Sequence, residues 1–466
     1  MKRFILAAGA IMTISLSSAR AVPPGMPAAP DVTFHPPSGE RFVLDNGLTV
    51  YLMRDNTLPV VHIAALVRTG NAYDPADKVG LTELTAQMLK DGGTRSYSAD
   101  EIDRQLEFLG ASIESSAFSE ETRVTMTSLR KDFDKVLDIY SEVLRAPVFD
   151  EEKLKLAKAE ELELLRRRND KPSDTVFREG KRLYYGAGHP YGWRKEPAGI
   201  SAISRADLQA VHADYFKPNN VILAVSGDFA SDQEAIDALK AKFGAWEKGA
   251  VKAPVIPEVK PVKGSHLYFI DKDVAQTFIL ILQKGLGYNS PEEYPLTVLS
   301  EVLGGSMQSR LMVEVRTKRG LAYTVQSSSV RRTKGGFTYT YCGTKPETYS
   351  QALKEILRQL RLTGEEKMPA DELKLGKDAI INPFVFKFPT PFKLIAERAS
   401  EEFYGLKDGY LDNYVQRIRA VTQDDVLRTG KDIYDPADAV ILVIGDSKKF
   451  DRPLSEFGQV TELKED

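Results

Sequence analysis

The sequence predicts an α+β fold made of two tandem, structurally similar α/β-sandwich domains, each a mainly antiparallel sheet covered by helices. Three observations predict it. A chain of 466 residues is too long for one compact core. Within each half, short β-branched strand runs mix with stretches of helical periodicity. The sequence also repeats itself at a constant offset. Ile203 to Leu208, ISRADL, is matched by Val421 to Val426, VTQDDV. Asp214 to Pro218, DYFKP, is matched by Asp432 to Pro436, DIYDP, and Val221 to Asp228, VILAVSGD, by Ala439 to Asp446, AVILVIGD. Every pair lies 218 residues apart. Each copy reads as a Ser or Thr cap, an amphipathic helix, a turn containing proline and a buried strand ending in Gly-Asp. Agreement across four successive elements implies an internal duplication.

The elements follow in order. Met1-Lys2-Arg3 is a positive head, 4–16 is a short apolar run, and Ala19-Arg20-Ala21 has the small-x-small form of a cleavage site, so 1–21 reads as a signal peptide. Its removal would take the formal charge from -3 to about -6. Export to the periplasm is the expectation, and no later apolar run is long enough to span a bilayer. Residues 22–40 form an extended, proline-rich leader. The first domain occupies 41–248. It opens with a hairpin, 41–44 and 48–52 around the Asn46-Gly47 turn, followed by a strand at 60–67. Leu81, Leu84, Met88 and Leu89 give helical spacing over 80–90. Ser98 and Glu101 form a capping-box pattern for the next helix, which Gly110 closes. Residues 249–265, with Pro254, Pro257 and Pro261, read as an extended linker, and 266–460 as the second domain.

Composition narrows the function. With 42% hydrophobic and 28% charged residues and a net charge of -3, the chain lacks the basic excess of a nucleic-acid binder. Cys342 is the single cysteine, which rules out an internal disulfide or a thiolate metal site; its apolar β-rich run makes it a buried small hydrophobe. The five histidines, His35, His62, His189, His212 and His266, include no pair spaced three or four apart.

The hairpin DNGLTVYLM (45–53), GLTELTAQMLKDGGT (80–94), HPYGW (189–193), the two Gly-Asp strand ends and LGGSMQSRLMVEVRTKRGLAYTV (303–325) together resemble the insulinase-type (M16, M16B-like) zinc metallopeptidases. The resemblance runs from about Arg41 to Asp446 and implies two similar domains per subunit, with two subunits closing as a clamshell around a peptide. In active members, the helix matching 80–90 carries His-x-x-Glu-His, two imidazoles one turn apart for zinc and a Glu as general base. The matching positions here are Glu83, Ala86 and Gln87, and the third-ligand position falls on Glu163. The resemblance therefore implies that this chain binds no zinc and has no catalytic residue of its own. Zinc would reside in a partner subunit that carries the motif, in a heterodimer acting on peptide substrates. The segment RTKRGLAY keeps Arg316 and Tyr323, a pair that in this family reaches the substrate near the partner's zinc. A guanidinium and a phenol there would stabilise the developing oxyanion. The alternative is a scaffold protein that kept the fold without a role in proteolysis. Arg316→Ala and Tyr323→Phe in the reconstituted pair distinguish the two.

Overall fold

The computed structural model describes residues 34–464. The expected signal peptide and most of the 22–40 leader lie outside the described residues. Among the described residues, twelve strands form two six-stranded sheets. The N-terminal sheet comprises β1 (Glu40–Val43), β2 (Thr49–Arg54), β3 (Val60–Val67), β4 (Ser112–Ala117), β5 (Thr122–Leu129) and β6 (Val221–Gly227), in the order β1-β2-β6-β3-β5-β4. The C-terminal sheet comprises β7 (His266–Asp271), β8 (Thr277–Lys284), β9 (Ala322–Val330), β10 (Phe337–Thr344), β11 (Val440–Gly445) and β12 (Val460–Glu462), in the order β12-β7-β11-β8-β10-β9. Each sheet is mostly antiparallel. The parallel pairings are β2 with β6, and β7 with both β11 and β12.

The duplication is visible strand by strand. From β2 to β6 and from β7 to β11 the two orders superpose, and only the outer edge differs. There the N-terminal sheet uses its opening hairpin strand and the C-terminal sheet uses the last strand of the chain. The repeated helices, Arg205–Tyr215 and Gln423–Ile433, keep the same offset at both ends. Both begin with complete capping boxes, Ser204 with Asp207 and Thr422 with Asp425, which satisfy two amide donors that the first helical turn leaves open. The expected box at Ser98 is only half formed: Ser98 accepts from the Glu101 amide, but the Glu101 carboxylate accepts from Gln105 instead.

The alternation of β2, β3 and β6 sends Val50, Ile63, Leu223 and Val225 into one core and Ala64, Leu66, Ile222 and Ala224 into another, on the opposite face. That second face is covered by a helix from the other half, Pro391–Phe403, through Ile395, Ala399 and Phe403. Reciprocally, helix Pro172–Tyr185 of the first half covers the C-terminal sheet, setting Val176 and Tyr184 against Leu280, Leu282 and Leu442. The two exchanged helices begin 219 residues apart, so they are copies of each other. A Cβ on Gly180 would lie 2.5 Å from Leu280 Cδ2, which shows how closely the helix approaches the sheet. Arg41 adds a two-pronged ion pair to Glu402 at 2.6 and 2.8 Å. Each buried aliphatic contributes roughly 1.5–3 kcal/mol. Separating the halves would strip the second face of both sheets.

Candidate functional site

The helix that aligns with the metal motif is Leu81–Asp91. Its first turn is held from outside the helix. Asp74 accepts from the amides of Gly80 at 2.8 Å and Thr82 at 2.9 Å, and from the Thr82 hydroxyl at 2.6 Å. Gly80 has φ of +104°, and a side chain there would press on the Lys195 stem, with Cδ 2.9 Å from a Cβ. Lys195 is what this geometry admits. Its Nζ lies 2.7 Å from Glu83 Oε2 and 2.5 Å from Glu161 Oε1, while Asn71 donates to Glu83 Oε1 at 2.6 Å. Arg168 fixes the Lys195 carbonyl from behind at 3.0 Å. Burial disfavours the Lys195 ammonium, but Glu83 and Glu161 outweigh it and hold the pKa above its ordinary value.

Glu163 is not part of this cluster. Its carboxylate is 58% exposed and pairs with Arg166 at 3.2 Å. The carboxylate that meets Lys195 beside Glu83 belongs to Glu161, two residues before the counted position. The helix Glu151–Arg166 turns 100° per residue, so positions 161 and 163 face nearly opposite ways. The cue was present in the sequence: Leu154, Ala157 and Leu165 are the buried stripe, and residue 161 falls on it. Nothing in the sequence marked Lys195 or Asn71 as partners of Glu83, because they arrive from separate loops. Ala86 is buried and offers no donor, and Gln87 points to solvent. Among the described residues no three His, Cys, Asp or Glu side chains gather to hold a metal ion. These residues do not fit a catalytic zinc: an ammonium stands between the two carboxylates, and no imidazole is near.

The histidines have other roles. His62 meets Thr127 Oγ1 at 3.0 Å and stacks on Phe392. His189 accepts from the Tyr191 amide at 3.2 Å through Nδ1, so its Nε2 carries the proton that it donates to the Pro257 carbonyl at 3.0 Å. His212 donates to the Leu144 carbonyl at 2.9 Å. Cys342 is fully buried on β10, and burial pushes its thiol up to about 12.

Arg316 and Tyr323 come together at the free edge of the other sheet. The segment before them is two π-helical turns, Glu301–Gly305 and Met312–Thr317, a geometry that recurs at functional sites. Gly304 lets the first turn rest on β9; a Cβ there would lie 2.2 Å from the Ser327 amide nitrogen. Arg316 leaves the second turn with its guanidinium carbon 5.6 Å from the centre of the Tyr323 ring. Tyr323 stands on the edge strand β9 and is 74% exposed. The other cations of RTKRGLAY are engaged: Lys318 and Arg319 each reach Glu314 at 2.6 Å. The side chains of Arg316 and Tyr323 have no hydrogen bond or ion pair among the described residues, so their donors are uncommitted.

Comparison with known proteins identifies the family and the fold. Residues 49–183 match the insulinase (peptidase family M16) description and residues 202–380 match the peptidase M16 inactive domain. The chain is 25% identical over 408 residues to the uncharacterized zinc protease YmxG of Bacillus subtilis, covering 87% of this chain and 98% of that one. It is 23% identical to an uncharacterized zinc protease of Streptomyces coelicolor, covering 84% and 86%. A solved peptidase M16 inactive domain from Pseudomonas fluorescens shares the fold with a TM-score of 0.80 and 23% identity, over 87% of this chain and 97% of that one. A protease from Helicobacter pylori shares it with a TM-score of 0.78 and 20% identity, over 87% and 98%. The chain belongs to the insulinase-type (M16) peptidase family, as a member whose sequence contains no His-x-x-Glu-His.

Proposed function

We propose that this chain is the substrate-binding, zinc-free subunit of a two-chain zinc peptidase that works in the periplasm. The carrying observation is the contrast between its two halves. Glu83 is locked by Lys195 and Asn71, whereas Arg316 and Tyr323 present free donors beside an open sheet edge. A partner of the same family with an intact His-x-x-Glu-His would supply the zinc and the base. This chain would supply chamber wall, a strand edge on which an extended peptide can pair, and two donors for the scissile carbonyl oxygen. The positive head, the apolar run after it and the small-x-small site support export. No helix among the described residues is long and apolar enough to cross a membrane.

The test is co-expression with a family member carrying the motif, followed by zinc content and peptide cleavage for each chain and for the pair. Cleavage should belong to the pair, with zinc in the partner. Arg316→Ala or Tyr323→Phe should slow it by roughly a hundredfold or more with assembly intact. Unchanged cleavage by both variants would favour a scaffold role. Stoichiometric zinc on this chain alone would defeat the division of labour.

A further inference from the structure

Where the β4–β5 turn meets the C-terminal half, the two halves line an open cavity of about 450 Å³. Tyr288 and Tyr404, stacked at 4.6 Å, line one wall. Most charged groups around it are matched internally. Glu120 accepts from the Tyr191 hydroxyl at 2.7 Å and from the Thr333 amide at 3.1 Å. Glu121 takes Arg123 at 2.7 Å and the Tyr404 hydroxyl at 2.9 Å. Arg331 is held by Glu293 and Tyr410.

One anion and one cation remain. Glu397, on the exchanged helix Pro391–Phe403, has no hydrogen bond and no ion pair among the described residues. Burial holds its carboxyl above the ordinary range, although Lys387, Arg331 and Arg123 pull the other way. Arg332 donates only to the Arg331 carbonyl, at 3.0 Å, and meets no carboxylate among the described residues. A covered carboxyl without a partner is costly, and such groups are ordinarily matched by something.

We propose that this cavity binds a small zwitterion, an amino acid or short peptide with both termini free, its carboxylate on Arg332 and its ammonium on Glu397 beside the tyrosine rings. The volume lies in the range of small-ligand pockets. A guanidinium fork suits a carboxylate, and an ammonium is stabilised by a carboxylate together with aromatic faces. A ligand of one charge only would leave the other group unmatched. The inference does not depend on the reading of Arg316 and Tyr323, which lie at a separate edge.

The experiment is calorimetric titration of the purified chain with alanine, dialanine and trialanine, and with the N-acetylated and C-amidated forms of whichever binds. At least one free form should bind. Blocking either terminus should weaken it roughly ten- to a hundredfold, the loss expected for a hydrogen bond to a charged group. Glu397→Gln should erase the penalty for N-acetylation, and Arg332→Met the penalty for C-amidation. Tyr323→Phe should change neither. If no free form binds the wild-type chain, or if blocked forms bind as well as free ones, the proposal is overturned. These wild-type titrations decide it even if a variant folds poorly.

Discussion

Replacing Lys195 by methionine tests the account of the altered metal position most directly. The substitution keeps the stem over Gly80 and removes only the ammonium that sits 2.7 Å from Glu83 and 2.5 Å from Glu161. The three side chains are 28%, 35% and 17% exposed, so the cluster is neither a surface pair nor a sealed one. Exposed pairs contribute at most about 1 kcal/mol, and removing one partner of a buried pair costs about 3–5 kcal/mol. The intermediate burial argues for a loss of about 2–3 kcal/mol. At about 2–4 °C per kcal/mol for a unit of this size, Tm should fall by about 5–10 °C. A second measurement separates this from a general packing defect. With the ammonium gone, Glu83 and Glu161 face one another uncompensated, so divalent cations should raise the Tm of Lys195→Met and leave the wild type unmoved. If the variant were as stable as wild type within 0.5 kcal/mol, the reasoning would be refuted. So would a rise in wild-type Tm on adding zinc that Glu83→Gln abolished.

Three further outcomes follow from the packing and the charges. Gly180→Val should destabilise by about 1–3 kcal/mol in urea unfolding, because the new side chain meets Leu280 and Leu282 across the exchanged helix. Glu401 accepts one amide, from Leu411, and lies 3.6 Å from Arg398, whose hydrogen bonds go to Asp412; burial outweighs that cation and holds the Glu401 carboxyl up to about 7. The folded state thus keeps that proton more tightly than the unfolded chain. The stability it contributes is complete below about 4.5 and lost as pH rises through about 7. Glu401→Gln should therefore flatten the fall in Tm between pH 5 and 8, gaining about 1–3 kcal/mol at pH 8. Tyr323→Phe should leave Tm unchanged within the error of a melting curve, since the ring is 74% exposed; any loss of cleavage by the pair would then be chemical rather than structural.

Much of the architecture was legible because it rests on local rules and on repetition. Gly47 at the hairpin turn, the β-branched run at 60–67 and the twin caps at Ser204 and Thr422 each act within a few residues. The 218-residue offset then carried each local reading over to the second copy. The half-formed box at Ser98 marks the limit of such rules: a side chain with two available partners chooses by surroundings that the motif does not contain. The absence of imidazoles at 83 and 87 was equally plain, because a missing donor needs no geometry. That Glu161 rather than Glu163 meets Lys195 was a matter of helical phase, which the stripe of Leu154, Ala157 and Leu165 records and a fixed count does not.

By itself, then, the sequence determined the duplicated α+β fold, the absence of a His-x-x-Glu-His motif and the spacing of Arg316 and Tyr323. These depend on residue identity and short-range periodicity. Only the tertiary structure decided that each half lends a helix to the other's sheet, that Lys195 stands between Glu83 and Glu161, and that Glu397 and Arg332 are left over around one cavity. Each of these joins groups far apart in the chain. Whether a charge is matched or left alone is set by the loops and faces that folding brings to it, which no local pattern encodes.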